Sequence, residues 1–160
     1  MHLSDRFLAL AQQHLNALTS DGAAERLALY LTERQEGATP SLTLIAQSPQ
    51  EVALPDSIAQ DPSLRSAAPE RRWYPLRHQS MLLGVLRAER HEGAGPTTAH
   101  DDRLQTCAET LACIRGLELE QDRLNGRLDV QRQQLSLMVH QLRNPLTALR
   151  TYAQLLLRRL

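Results

Sequence analysis

From Thr98 to Leu160 the chain carries no strong helix stop except Pro145. That stretch constrains the rest, because a helix of roughly 60 residues runs about 90 Å at 1.5 Å per residue. No small domain is wide enough to cover such a rod, and a second copy of the chain is the simplest partner for it. A heptad phase supports this. Cys107, Ile114, Gln121, Leu128, Leu135 and Leu142 fall in one position, with Leu117, Leu124, Gln131 and Met138 in the other. Gln121 and Gln131 weaken the seam, and Gly116 and Gly126 cost about 1 kcal/mol each relative to alanine. These features predict a coiled-coil linker able to shift register or rotate, with a monomeric helical hairpin as the alternative. Leu104, Ala108 and Leu111 form a different stripe, expected to face an N-terminal helix.

Upstream, Ser4 to about Thr19 carries Leu3, Phe7, Leu10, Ala11, Leu15 and Leu18 at helical spacing, with Ser4 placed to cap the N-terminus. Arg26 to Thr32 alternates, with Leu27, Leu29 and Leu31 on one face, and Ser41 to Ala46 does the same through Leu42 and Leu44. Gln47 to Glu70 is rich in Pro, Ser, Asp and Ala and predicts a loop with room for a short helix. Trp73 to Arg77 and Met81 to Glu89 predict an antiparallel hairpin across His78-Gln79-Ser80. Gly93-Ala94-Gly95-Pro96 breaks the pattern, and Thr98 with Asp101 predicts a capping box for the long helix.

That order of helix, two strands, variable loop, hairpin and long helix resembles a GAF domain, an antiparallel sheet flanked by helices. The resemblance rests on Tyr74-Pro75-Leu76, Leu83-Gly84-Val85-Leu86-Arg87-Ala88-Glu89, Pro96-Thr97 and the helix from Leu104 to Ile114. It covers residues 1 to about 116 and implies a sensory fold of the α+β class without implying a ligand. PAS folds, the competing pattern, usually place their helices between the strands.

Basic and acidic residues balance at 18 each, so charge makes no case for nucleic acid or a membrane surface. Every base is an arginine. No apolar run approaches the roughly 20 residues of a membrane span, and the N-terminus, with Asp5 close behind, is no signal peptide. Two cysteines make no disulfide framework. A cytoplasmic protein is expected.

The chemistry concentrates near the C-terminus. A helix advances about 100° per residue, so His140 and Asn144 share one face. Leu142, Leu149 and Leu156, joined by Leu146, Ala153 and Leu160, share another. This predicts an exposed imidazole on a bundle helix, and neutral imidazole is a competent nucleophile near neutral pH. His140-Gln141-Leu142-Arg143-Asn144-Pro145-Leu146, followed by Thr147-Ala148-Leu149-Arg150, resembles the phosphoacceptor box of sensor histidine kinases. The resemblance implies that His140 accepts the phosphoryl group and that Asn144 orients water for dephosphorylation or positions the transferring group. Gln141 stands where that family usually has an acid. A glutamine can accept a hydrogen bond but cannot take a proton, so slower autophosphorylation is expected. Pro145 removes one backbone bond and is expected to bend the axis. The alternative is an ordinary bundle helix with an exposed histidine.

The box from Val139 to Arg150, with the GAF pattern and the leucine-rich helix beyond, is similar to that of the cyanobacterial sensor kinases related to the chloroplast sensor kinase. Gln after His is a familiar variant there. That resemblance implies coupling of photosynthetic redox state, or related stress, to response regulators. It also raises an iron–sulfur cluster, for which Cys107 and Cys113 are the only thiols. On a helix those two lie about 120° apart, so both cannot easily bind one ion. Clusters want three or four convergent thiolates. A dimer supplies four, with Cys107 on the expected seam. A thiol switch or a disulfide between protomers is a further alternative, and a buried cysteine packing as a small apolar residue is the commoner situation. The Cys-His pair of bilin-attaching GAF domains is absent. Trp73, Tyr30 and Tyr74 are expected in the core or at a dimer contact, and His14, His78, His91 and His100 show no metal-ligand spacing. Arg143, Arg150, Arg158 and Arg159 leave the C-terminal helix basic, a face that could attract an acidic receiver pocket.

The expected organisation is therefore a GAF-like sensor at 1–116, a coiled-coil linker at 117–135, and at 136–160 the first helix of a dimeric phosphoacceptor bundle. Nothing resembles a second bundle helix or an ATP-binding domain, and the chain stops within the apolar segment Leu155 to Leu160. On its own it is expected to be inactive, with Mg-ATP belonging to the full-length kinase. The expected partners are a second copy, receiver domains of response regulators and the parent's own ATP-binding domain, with no nucleic acid and no membrane span. The alternative is a non-catalytic module for dimerisation and ligand binding in which His140 is unused. Cyclic-nucleotide binding is a third reading that no residue favours.

Overall fold

In the computed structural model, residues 3–33, 41–50, 70–90 and 98–159 are described. The chain divides into two compact units, Met1–Leu117 and Glu118–Leu160. Residues 51–69, which hold most of the loop expected at 47–70, and the break at Gly93–Pro96 lie outside the described residues, as does Leu160.

Helix α1 (Asp5–Ser20) starts where a side chain can satisfy its first amides. Ser4 has extended backbone, and its Oγ accepts from the Phe7 N–H at 3.0 Å. Its buried residues Phe7, Ala11, Leu15 and Leu18 recur every three or four positions, the stripe of an amphipathic helix. Four strands follow: β1 (Arg26–Glu33), β2 (Ser41–Ser48), β3 (Arg71–His78) and β4 (Met81–Glu89). They form one antiparallel sheet in the order β2-β1-β4-β3. The β3–β4 hairpin closes on the pair His78 and Met81. Gln79 takes the positive φ of 52° that tight two-residue turns require.

β1 departs from the alternation expected of it. Ala28 and Tyr30 are as fully buried as Leu27, Leu29 and Leu31. The reason is position: β1 lies inside the sheet, between β2 and β4, and its side chains are buried on both faces. On one face Leu29 stands opposite Leu86, and Leu27 opposite Ala88. On the other, Ala28 and Tyr30 pack with Leu42, Leu44, Trp73 and Val85.

Helix α2 (Thr98–Leu157) runs unbroken through Pro145. Its first part belongs to the sheet unit, where Leu104, Cys107, Ala108, Leu111, Ala112, Arg115 and Gly116 are buried. The expected capping box is not formed. Thr98 is already helical, and the Asp101 carboxylate is taken up by the sheet. It accepts from the Tyr74 hydroxyl at 2.8 Å and from Arg90 Nη2 at 3.0 Å, and it pairs with Arg72. Asp101 thus ties the first turn of α2 to β3 and to the end of β4, and its charge also suits a helix N-terminus. Arg103 pairs with Asp21, the C-cap residue of α1.

Two outcomes follow from this packing. Burial, and then Asp101 beside it, push the Tyr74 hydroxyl up from 10.0 to about 12. The protonated phenol is the form that donates to Asp101. Its contribution is complete below the ordinary value and lost as pH rises through the folded one. Melting curves in the alkaline range should show that loss in the wild type and a flatter dependence in Tyr74→Phe. The two helix glycines also separate. At Gly116 the His78 ring fills the space a Cβ would need, whereas nothing lies within 4 Å of Gly126. Gly126→Ala should stabilise its helix by up to about 1 kcal/mol, while Gly116→Ala should lower the melting temperature of the sheet unit despite its better helix propensity.

Candidate functional site

In the unit Glu118–Leu160 the chain is helical to Leu157. His140, Arg143, Asn144, Thr147, Ala148, Thr151 and Tyr152 line an open groove along one side of that helix. Their spacing of three and four residues brings them onto one face. Thr147 Oγ1 donates to the Arg143 carbonyl at 2.8 Å, and Thr151 Oγ1 to the Thr147 carbonyl at 2.9 Å. Both hydroxyls therefore fold back onto the helix. Among the described residues, the side chains of His140, Arg143 and Asn144 make no hydrogen bond or ion pair, and all three are exposed. An unpaired imidazole, a guanidinium and an amide are left within one turn of each other. Pro145 adds one more polar group, since it lacks the N–H that would occupy the Gln141 carbonyl.

The other side of the helix is apolar. At about 100° per residue, Leu142, Leu146, Leu149 and Leu156 fall opposite His140, and their side chains are 61% to 66% exposed. Leu117, Leu124, Leu128, Leu135 and Met138, also exposed, continue the stripe upstream. His140 and Asn144 are thus brought together, with Gln141 exposed beside them. Thr147, Thr151 and Tyr152 were not singled out in the sequence, although their offsets from His140 place them on the same face.

The two cysteines are not brought together. Cys107 is buried in the unit Met1–Leu117, and Cys113 is exposed. Cys107 therefore does not lie on an open seam, because that part of α2 packs into the core of the sheet unit. Burial pushes its thiol up to about 11. Among the described residues no group of three or more His, Cys, Asp or Glu could hold a metal. One core thiol and one surface thiol do not fit the convergent set that an iron–sulfur cluster needs.

A second polar group lies in the sheet unit, where Tyr30 and Trp73 were expected only as packing. The Glu89 carboxylate is shared by Arg87, by Arg71 at 3.1 Å and by Arg26 at 3.8 Å. Burial alone would raise Glu89, but Arg87 and Arg71 outweigh it and hold the carboxyl below its ordinary range. The Arg87 guanidinium lies 6.0 Å from the centre of the Trp73 ring. Burial pushes the Tyr30 hydroxyl up, with Arg87 beside it pulling the other way.

Comparison with known proteins bears on both units. Residues 130–160 match the His Kinase A (phospho-acceptor) domain. The chain is 32% identical, over 98% of its length, to the sensor histidine kinase Hik2 of Thermosynechococcus vestitus, and it spans 46% of that protein. Its fold is similar to the second GAF domain of DevS from Mycobacterium smegmatis, with a TM-score of 0.53 at 20% identity over 74% of this chain and 97% of that one. Another structure of a DevS domain from that organism, GAF-B, gives 0.51 at 21% identity over 73% and 98%. At that identity these structures speak to the fold alone. No helix among the described residues is long and apolar enough to cross a membrane.

The thiols give a direct check. A thiol raised to about 11 has almost no thiolate at mildly alkaline pH, and the thiolate is the reactive form. Iodoacetamide should alkylate the folded chain once, at Cys113, and a second time only in denaturant, as read by mass spectrometry.

Proposed function

We propose, for a chain that joins a GAF fold to a histidine-kinase phosphoacceptor segment, that it is the sensing and phosphoacceptor part of a two-component sensor kinase. The observation that carries this is the exposed, unpaired His140 imidazole, set opposite a leucine stripe on one helix. The chain spans less than half of its sensor-kinase relative, and the catalytic ATP-binding domain is assigned to the parent protein. A cytoplasmic setting is part of this proposal.

In the proposed reaction an imidazole nitrogen of His140 attacks the γ-phosphorus of Mg-ATP. The N–P bond forms as the bond to the β–γ bridging oxygen breaks, ADP leaves, and the imidazole proton passes to a base or to water. A receiver aspartate then attacks the phosphorus, the N–P bond breaks, and His140 is free again. Gln141 can hold the imidazole by a hydrogen bond but cannot receive its proton. Asn144, one turn on, has an amide that can hold a phosphoryl oxygen or an attacking water. Arg143 supplies positive charge beside both.

The apolar stripe opposite His140 is assigned to a second copy of the chain. His Kinase A domains typically dimerise and relay to response regulators. Leu142, Leu146, Leu149 and Leu156 would fill the seam of a bundle, and the stripe from Leu117 to Met138 would pair as a coiled coil. The cue is assigned to the GAF unit as a redox or small-molecule signal.

Labelling of the full-length protein with γ-labelled ATP tests this reading. His140→Ala should abolish an acid-labile label. Gln141→Glu should speed its appearance by roughly tenfold or more, the scale of one added general base. Asn144→Ala should slow its loss. A His140→Ala protein that labels like the wild type would sink the proposal.

A further inference from the structure

The β3–β4 hairpin meets α2 at two places that differ in kind. At the start of the helix Asp101 accepts from the Tyr74 hydroxyl at 2.8 Å and from Arg90 Nη2, just past β4, at 3.0 Å, and it pairs with Arg72. About four turns further on, Gly116 meets His78, the residue of β3 that pairs with Met81 at the hairpin turn. The His78 ring occupies the space that a Cβ at position 116 would need. Among the described residues the His78 side chain makes no hydrogen bond or ion pair, and it is only partly buried. The helix is therefore tied by directional bonds at one end and braced by van der Waals contact alone at the other.

A brace of this kind can slide. The bare backbone of Gly116 offers no side chain to interlock with the ring, and packed elements shear past one another where nothing interlocks. The tip of the hairpin is also set apart from the regular ladder. Its pairing shifts register between Leu76 and Arg77, and such an irregularity re-aims the strand beyond it. The place matters as well. Gly116 is buried, Leu117 ends the sheet unit and is exposed, and α2 continues from there as one helix through His140. His78 thus acts on the last buried turn of α2 in the sheet unit.

We infer that the His78–Gly116 contact is the point at which the sheet unit controls phosphorylation of His140. A cue that shifts the hairpin keeps the Asp101 cluster intact and moves His78 across Gly116, so the exit end of α2 changes its seat on the sheet. His78 and Gly116 are positioning residues that act on His140 through the helix. The inference rests on the kinase reading and names the contact that regulates it.

Two measurements on the full-length protein test it: the initial rate of His140 labelling from γ-labelled ATP, and amide hydrogen exchange along α2. His78→Ala removes no hydrogen bond and should fold. It should speed exchange around Gly116 and leave the first turn, held through Asp101, as in the wild type. It should also change the labelling rate, in either direction, by about fivefold or more, the lower end of an ordinary coupling between two sites. Gly116→Ala should change the rate too. Combining it with His78→Ala gives the new methyl the space of the ring and should return the rate toward wild type. Gly126→Ala makes the same change in open space and should leave the rate unaltered. If Gly116→Ala does not fold, His78→Ala decides alone.

A His78→Ala protein that labels at the wild-type rate would overturn the inference. So would exchange that rises equally at both ends of the buried segment, because the helix would then be loosened as a whole. Effects of the two substitutions that simply add, or a Gly126→Ala protein altered as much, would trace the change to helix propensity and overturn it as well. The kinase reading is judged on the wild type. A wild type that never labels loses that reading and the control built on it, whereas one that labels beside an unaffected His78→Ala loses only the control.

Discussion

Burial of the α2 segment from Leu104 to Gly116 completes the core of the sheet unit, and contacts of two kinds fix it at its ends. Leu104, Ala108, Leu111 and Ala112 are fully enclosed. Each buried leucine contributes about 1.5–3 kcal/mol relative to exposure, so this stripe supplies most of the stabilisation. The ion pairs around Asp101 add less, since an exposed pair such as that with Arg72 contributes about 1 kcal/mol or less. They add direction instead. The Tyr74 hydroxyl and Arg90 hold one carboxylate from two sides, which fixes the first turn of the helix against β3. At the other end His78 lies flush against Gly116, and steric contact fixes the helix there.

Much of this was legible in the sequence, wherever a local period carried it. The Ser4 cap, the leucine stripe of α1, the hairpin across His78-Gln79-Ser80 and the face shared by His140 and Asn144 all depend on residues within a few positions of each other. What was not legible depends on partners far away in the chain. Thr98 and Asp101 have the spacing of a capping box, but Tyr74, Arg72 and Arg90 compete for the same carboxylate, and several charge-assisted bonds outweigh a cap. Gly116 and Gly126 look alike as helix weakeners. Only the placement of His78 shows that one of them is required. Ala28 and Tyr30 belong to an alternating strand whose second face turned out to be covered, and alternation cannot report that.

At His140 the arrangement follows from one helix alone, which is why so much of it could be read from spacing. Under the proposed function, a nucleophile that must meet a nucleotide and then a second protein has to stay exposed, and the polar groove satisfies that while the opposite stripe remains apolar. The inward-turned hydroxyls of Thr147 and Thr151 matter here. By bonding to backbone carbonyls they leave the groove with an imidazole, a guanidinium, an amide and the Tyr152 phenol as its outward polar groups. Gln141 keeps the shape of the usual acid without its basicity. Under the proposed function, the missing proton acceptor has to be water or a group brought by another domain.

Among its described residues the sheet unit holds two arginine–carboxylate clusters, and they differ in how their charges are shared. Around Asp101 the donors converge on both carboxylate oxygens, and Tyr74 completes the set. A cluster of that kind is closed: it fixes a helix and leaves nothing to offer. Around Glu89 one carboxylate serves three guanidinium groups, and the most buried of them, Arg87, also lies beside the Tyr30 hydroxyl and acts against the rise that burial imposes on it. Their burial on the sheet face away from α2, with Leu42, Leu44, Trp73 and Val85 packed around Tyr30, is a cost that the apolar packing of that face has to offset.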